Sequence, residues 1–204
     1  MGEEINLMIN YPKSKRDIES RVNHKTLKDQ KVARKFSKDF FDGNRRFGYG
    51  GFNYHPKFWH PVISTFQKYY NLNNYSKILD VGCAKGFMLH DFKKLIPGIH
   101  IKGIDISEYA INNCIKDVEN DVSVADARSI PFDDNTFDLV ISITTVHNLN
   151  LKDCKKALNE ITRVSKRSCF ITVDAFTNDE EKEAMFSWNL TAKTILHVND
   201  WKKL

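Results

Sequence analysis

The stretch ILDVGCAKGF, Ile78 to Phe87, decides the fold. An apolar run enters a turn holding two glycines, and the turn opens into MLHDFKKL, which has the spacing of a helix. Strand, glycine turn and helix in that order commonly cradle a nucleotide-like ligand. A dinucleotide fingerprint asks for glycine at the first, third and sixth positions. Counted from Gly82, those positions hold Gly82, Ala84 and Phe87. A phosphate-binding loop ending Gly-Lys-Ser/Thr fails as well. What remains is D-x-G-x-A-x-G, with Asp80, Gly82 and Gly86.

Downstream of the turn the pattern repeats. IKGIDIS, VSVADA, FDLVISIT and SCFITVDAF read as further strands, separated by the helical stretches EYAINNCIKDVEN and LKDCKKALNEITRVS. Short, near-continuous apolar strands alternating with helices predict a mainly parallel sheet covered on both faces. The fold class is therefore α/β, a doubly wound Rossmann-like sheet. Upstream, residues 15–41 read as one or two amphipathic helices marked by Ile18, Val22, Leu27, Val32, Phe36 and Phe40, stopping near Gly43. A glycine- and aromatic-rich loop, RRFGYGGFNYHP, and a helix with Phe58, Trp59, Val62, Phe66 and Tyr70 on its apolar side lead to the first strand. The chain divides into an N-terminal helical arm and cap, 1–74, and a core, 75–204. After Phe176 a helix is expected across TNDEEKEAMFSWNLTAKTILH, then a short one capped by Asn199.

Composition narrows the class. At 204 residues, 41% hydrophobic and 12% aromatic, the chain is an ordinary globular sequence. No apolar run approaches the roughly 18 residues of a membrane span. No secretory or myristoylation signal opens the chain, so it reads as cytoplasmic. Cys83, Cys114, Cys154 and Cys169 are scattered, without metal-ligand spacing, and no metal site is expected. Residues 1–60 carry 13 Lys and Arg against 7 Asp and Glu, so the positive charge sits in the arm. Interleaving of both signs there reads as a solvated helix face, with nucleic acid or an anionic substrate as the alternative.

The ordered motifs resemble the class I S-adenosylmethionine-dependent methyltransferases over roughly residues 75–176. In that family an acid and a GxGxG-like turn end the first strand, an acid ends the second (Asp105 in GIDIS), and an acid ends the third (Asp126 in VADARSIPF). PFDDNTFDLVISITTVHNL is similar to the signature around the fourth strand. The resemblance implies S-adenosyl-L-methionine as cofactor. Asp105 would accept from the ribose hydroxyls, Asp126 from the adenine amine, and Asp80 would meet the methionine ammonium. Gly82, Cys83, Ala84 and Gly86 of the turn, with Ile106, Ala127 and Thr144, complete that expected set. Ala84 departs from GxGxG; a methyl there matters only where the turn needs positive φ or a very close approach, and the expected effect is a small loss of affinity.

For the transfer itself the strand ends offer Thr145, His147 and Asn148 after the fourth strand, and Thr172 and Asp174 after the fifth. His147 is the expected general base, because its pKa lies near working pH. Asp174 would orient it, bind substrate or cap the next helix. Arg46, Tyr49, Tyr54, Trp59 and Asn148 are the expected acceptor pocket, with the glycine-rich loop as a lid over it. The (N/D)PP(Y/F) motif of adenine, cytosine and glutamine amino-methyltransferases is missing after the fourth strand. The loop and turn also resemble bacterial methyltransferases of sugar and surface-polysaccharide gene clusters. The expected activity is methyl transfer to a hydroxyl of a small polar metabolite, such as a sugar or phosphorylated compound. The alternatives are an RNA or protein methyltransferase using the basic arm, and a catalytically inactive cofactor-binding subunit. A homodimer is among the partners this reading allows. The antiparallel strand pair that usually closes such a sheet has no counterpart in the sequence, which reads as C-terminally short.

Overall fold

Strand β1, Lys77–Val81, is buried from Ile78 onward, as a strand covered on both faces must be. It pairs in parallel with β2, His100–Asp105, on one side and β4, Phe137–Ile143, on the other. Strand β3, Val122–Val124, lies outside β2, and β5, Ser165–Thr172, lies outside β4. The resulting order is β3-β2-β1-β4-β5, and every pairing is parallel. The winding reverses between β1 and β4. Loops leaving those two strands diverge there and open a crevice at their carboxyl ends. The computed structural model describes residues 3–13, 22, 25–50 and 52–204.

Each face of the sheet has its own core. Ile78, Leu139, Ile141 and Phe170 pack against Val62, Ile63 and Phe66 of α3, Pro56–Tyr70, and Met88, Leu89 and Phe92 of α4, Phe87–Leu95. Phe66 sets its ring edge-on to Phe170 at 4.8 Å and to Phe92 at 6.2 Å. On the other face Leu79, Val81 and Val140 meet Cys154, Ala157, Ile161 and Val164 of α6, Leu151–Val164. Full burial of each such side chain stabilises the fold by roughly 1.5–3 kcal/mol. Helix α6 begins where Asn150 accepts the N–H of Asp153 at 3.0 Å, and α4 ends ahead of Pro97 and Gly98 as expected.

Among the described residues of 15–41, residue 22 is helical, and α1, Leu27–Ala33, and α2, Lys38–Phe41, follow it, separated at Phe36 with φ 48. Ile18 lies outside the described residues, as do the rest of 14–21 and residues 23 and 24. The second core helix is reduced to α5, Glu108–Asn112, and a 3-10 turn, and β3 stops at Val124 rather than Ala127. Beyond β5 the long helix expected to His197 stops early. Only α7, Asp179–Trp188, is helical; β6, Ala175–Phe176, pairs in parallel with β7, Leu196–His197, in a second small sheet. The break comes at Asn189, whose Oδ1 accepts the N–H groups of Thr191 at 3.0 Å and Ala192 at 2.7 Å. A side chain that captures neighbouring N–H groups competes with the helix for them. Asn199 does not cap the last helix, α8, Val198–Trp201: His197 does, accepting the Asn199 N–H at 3.1 Å.

Candidate functional site

A cavity of about 410 Å³ sits over the carboxyl ends of β1, β2 and β4, at the switch point. One half is built by the glycine turn. The Gly82 and Cys83 N–H groups both donate to the Ile104 carbonyl, at 2.7 and 3.0 Å, which folds the turn across to β2. Gly82 has φ +88, and a Cβ on it would fall 2.0 Å from Thr145 Oγ1. Only glycine allows that approach, and it leaves the backbone open to the cavity. Ala84 occupies φ 50, so its methyl is held in the left-handed region that glycine prefers.

The Ala84 N–H donates to Asp105 Oδ2 and the Ser107 N–H to Oδ1, both at 2.8 Å. Each oxygen of this buried carboxylate keeps further acceptor capacity. Burial pushes the Asp105 pKa up, against the pull of those N–H groups. Asp126 also lines the wall, with Ile106 and Ala127 beside it. The Arg128 guanidinium grips both Asp126 oxygens at 2.6 to 3.0 Å and holds its pKa down.

Three of the expected residues sit behind this wall rather than on it. Cys83 packs into the core with Leu89 and Phe92. Gly86 starts α4 at φ 76 against Val118. Asp80 is 4% exposed, and among the described residues its carboxylate has no hydrogen-bond partner. Burial first, and the charge of Asp105 second, push its pKa up to about 8. A carboxyl left in that state inside a protein is short of a cation or donor.

The other half of the cavity takes its walls from β4, β5, the arm and the segment after α7. Thr144, Thr145, His147 and Asn148 come from the end of β4, and Asp174 from the end of β5. His147 is buried, and its Nδ1 accepts the Asp174 N–H at 2.8 Å. The neutral ring therefore carries its proton on Nε2. Burial lowers the His147 pKa, with the Asp174 carboxylate and the Thr144 carbonyl opposing. These bonds argue against His147 as the general base in this arrangement. The ring nitrogen that could take a proton is already occupied, and moving the proton to Nδ1 would set two donors against each other. Asp174 does not orient His147 through its carboxylate either, because Oδ2 stands 3.8 Å from Nδ1 and accepts instead from Asn189 Nδ2 at 2.6 Å.

The arm closes the roof. Phe36, Phe40, Phe41 and Tyr49 line it, and α7 adds Trp188. Lys85 holds the arm down by donating to Asp42 at 2.5 and 2.6 Å and to the Phe52 carbonyl at 2.9 Å, while Ser107 Oγ donates to the Phe36 carbonyl. The Tyr49 hydroxyl accepts the Leu190 N–H at 2.7 Å, and Arg34 donates to the Thr191 and Ala192 carbonyls at 3.3 Å. The arm and the segment after α7 thus meet over the cavity.

Of the expected acceptor pocket only Tyr49 and Asn148 reach it. Arg46 pairs with Asp29 at 2.8 Å, Tyr54 donates to Asp91 at 2.6 Å beside His90, and Trp59 stacks edge-on with Tyr11 at 5.0 Å. Tyr54 and Trp59 pack the arm to the core, and Arg46 braces the arm internally. Trp188, Asn189, Thr191 and Lys193 escaped sequence reasoning because helical periodicity was assumed across them; the only local signal was the helix-competing Asn189 after Trp188. Among the described residues no group of three or more metal-ligating side chains occurs, and no helix is long and apolar enough to cross a membrane.

Residues 79–173 match a family model described as a methyltransferase domain. The chain is similar to the tRNA (carboxymethyluridine(34)-5-O)-methyltransferase of Arabidopsis thaliana, at 33% identity over 144 residues, 69% of this chain and 33% of that protein. It is also similar to the mitochondrial arginine-hydroxylase NDUFAF5 of Rattus norvegicus, at 38% identity over 89 residues, 43% of this chain and 25% of that one. The chain thus spans a third or less of the length of these relatives. The YcgJ protein from Bacillus subtilis superposes with a TM-score of 0.58 at 18% identity, over 71% of this chain and 65% of that chain, a likeness of fold.

Proposed function

The chain belongs, through residues 79–173, to the class I S-adenosylmethionine-dependent methyltransferase superfamily, and from that premise we propose that it transfers a methyl group from S-adenosylmethionine to a hydroxyl of a small polar acceptor. One observation carries the reading: Gly82, Asp105 and Asp126 converge on one cavity at the switch point, with the unpartnered carboxyl of Asp80 directly behind the turn. That donor set fits the cofactor. Asp105 would take the ribose hydroxyls with the acceptor capacity its two N–H bonds leave unused. Asp126, already charged by Arg128, would receive the adenine amine. Asp80 would pair, directly or through water, with the methionine ammonium. Ile106, 56% exposed, and Ala127 offer apolar surface for the adenine ring.

The cofactor supplies an electrophilic methyl on a sulfonium. The residues of the chain align the acceptor with it, and alignment is a large part of catalysis for an in-line displacement. Asp174 would anchor the acceptor by accepting a hydrogen bond from one of its polar groups, because it lines the cavity with Oδ1 unpartnered among the described residues. His147 holds the end of β5 in place through the Asp174 N–H. The arm and residues 189–195 keep water out.

A small acceptor is favoured over RNA by the fate of three of the arm's cations. Lys25 and Arg34 are spent on carbonyls of the chain's own 186–192 segment, and Arg46 on Asp29. Calorimetry should give a single site for S-adenosylmethionine, weakened by Asp105→Asn. Mass spectrometry across sugars, amino sugars, phosphorylated metabolites and RNA should find a one-methyl gain on a small molecule. No cofactor binding refutes the family role, and a gain on RNA alone refutes the acceptor.

A further inference from the structure

The acceptor half of the cavity contains a carboxylate without a paired Lys or Arg among the described residues. Asp174 is 21% exposed in its side chain, and Oδ2 accepts from the neutral amide of Asn189. Oδ1 has no hydrogen-bond partner among the described residues, and no Lys or Arg among them lies within 4.0 Å of the carboxylate. The nearest candidate, His147 Nδ1 at 3.8 Å, already accepts an N–H and carries no proton. Lys193 lines the same cavity but makes no ion pair with Asp174.

Next to this carboxylate stands a corner of aromatic rings. Tyr49 and Trp188 meet edge to face, with centroids 6.1 Å apart at 84°, and Phe40 continues the wall at 6.0 Å from Tyr49. Asn189 makes the corner and the carboxylate one rigid unit. It follows Trp188 in the chain, its Nδ2 holds Asp174, and its Oδ1 receives the Tyr49 hydroxyl at 3.4 Å. Ring faces carry negative potential, so a carboxylate flanked by aromatic rings is complementary to a positive charge. A neutral hydroxyl would leave the Asp174 charge partly desolvated and unbalanced, and an anion would add a second negative charge beside it.

We propose that the acceptor carries an ammonium group, the protonated amine of a small hydroxylated molecule such as an amino sugar or amino alcohol, and that it docks on Asp174 Oδ1 in the corner of Tyr49 and Trp188. The proposal rests on the methyltransferase reading and names the substrate class of that site. The ammonium is a docking group that sets the neighbouring hydroxyl before the cofactor.

The test titrates the protein loaded with S-adenosylhomocysteine, which lacks the sulfonium charge, by calorimetry. The probes are glucosamine, glucose and glucuronate, and the smaller set ethanolamine, ethylene glycol and glycolate. At least one amine should bind on the order of tenfold or more tightly than its neutral partner, and the anions least of all. Asp174→Asn, which keeps the shape and can still accept from Asn189, should abolish the preference. Trp188→Phe should reduce it while leaving the packing largely filled. Equal binding of amine and neutral probes, no binding by either amine, or a preference that survives Asp174→Asn would overturn the proposal. So would an Asp174→Asn protein that loses affinity for S-adenosylmethionine but not for the amine, since the carboxylate would then serve the sulfonium. Failure to bind S-adenosylhomocysteine at all refutes the underlying reading instead, so the two failures are distinguishable.

Discussion

Gly82→Ala is the substitution whose cost can be worked most directly from the structure. The new Cβ would lie 2.0 Å from Thr145 Oγ1, 2.4 Å from its Cγ2 and 2.7 Å from its Cβ, and the backbone holds φ +88. Two separable penalties follow. Placing an alanine in the left-handed region costs about 1–2 kcal/mol. Forcing a methyl into a filled space costs about 1–3 kcal/mol more. The sum, about 2–5 kcal/mol, lowers Tm by roughly 4–20 °C for a chain of this size. All three close atoms belong to one side chain, so a double-mutant cycle isolates the steric part. In a Thr145→Gly background the added cost of Gly82→Ala should shrink to the backbone penalty, about 1–2 kcal/mol. Thermal unfolding followed by circular dichroism, with urea titrations of the same four proteins, reads both quantities. A Gly82→Ala Tm within about 2 °C of the parent, or equal costs in the two backgrounds, would refute the reasoning. Both residues line the cavity, so cofactor affinity should fall with the single variant as well.

Two further outcomes follow from the same turn. Ala84→Gly relieves the left-handed strain at φ 50 but loosens the unfolded chain, for a net gain of up to about 1 kcal/mol; a fall in Tm by scanning fluorimetry would count against it. Asp80, pushed up to about 8, is mostly protonated at pH 7, and an ammonium partner favours its carboxylate. Cofactor binding should therefore release a proton near neutral pH and none once the pH is well above the folded pKa. Calorimetry in buffers of different ionisation enthalpy measures this, and a release unchanged by Asp80→Asn would exclude Asp80 as its source.

The glycine turn, the strands and the order of motifs were legible because each depends on neighbours in the chain. Ile78 to Val81 reads as a buried strand from its own composition, and Asp105 and Asp126 are strand-end acids wherever the strands pack. Ala84 was harder. Its residue type was visible, but its positive φ is imposed by the turn's bonds to Ile104 and Asp105. His147 shows the same limit at a side chain. Its place after β4 follows from the sequence, whereas its tautomer depends on an N–H that β5 delivers from 27 positions away.

The sequence by itself determined a doubly wound α/β core and the residues available at its carboxyl edge, through periodicity and turn chemistry that act over a few residues. Only the tertiary structure decided which of those residues share a cavity. Arg46, Tyr54 and Trp59 looked like pocket residues; Tyr54 and Trp59 instead bind the arm to the core, and Arg46 pairs with Asp29 within the arm. Trp188, Thr191 and Lys193 looked like a continuing helix and instead form part of the cavity wall. The contacts responsible join Tyr49 to Leu190 and Arg34 to Thr191, across separations of 141 and 157 residues. No local pattern encodes such pairs, because they form only where the packed sheet brings the arm and the segment after α7 together.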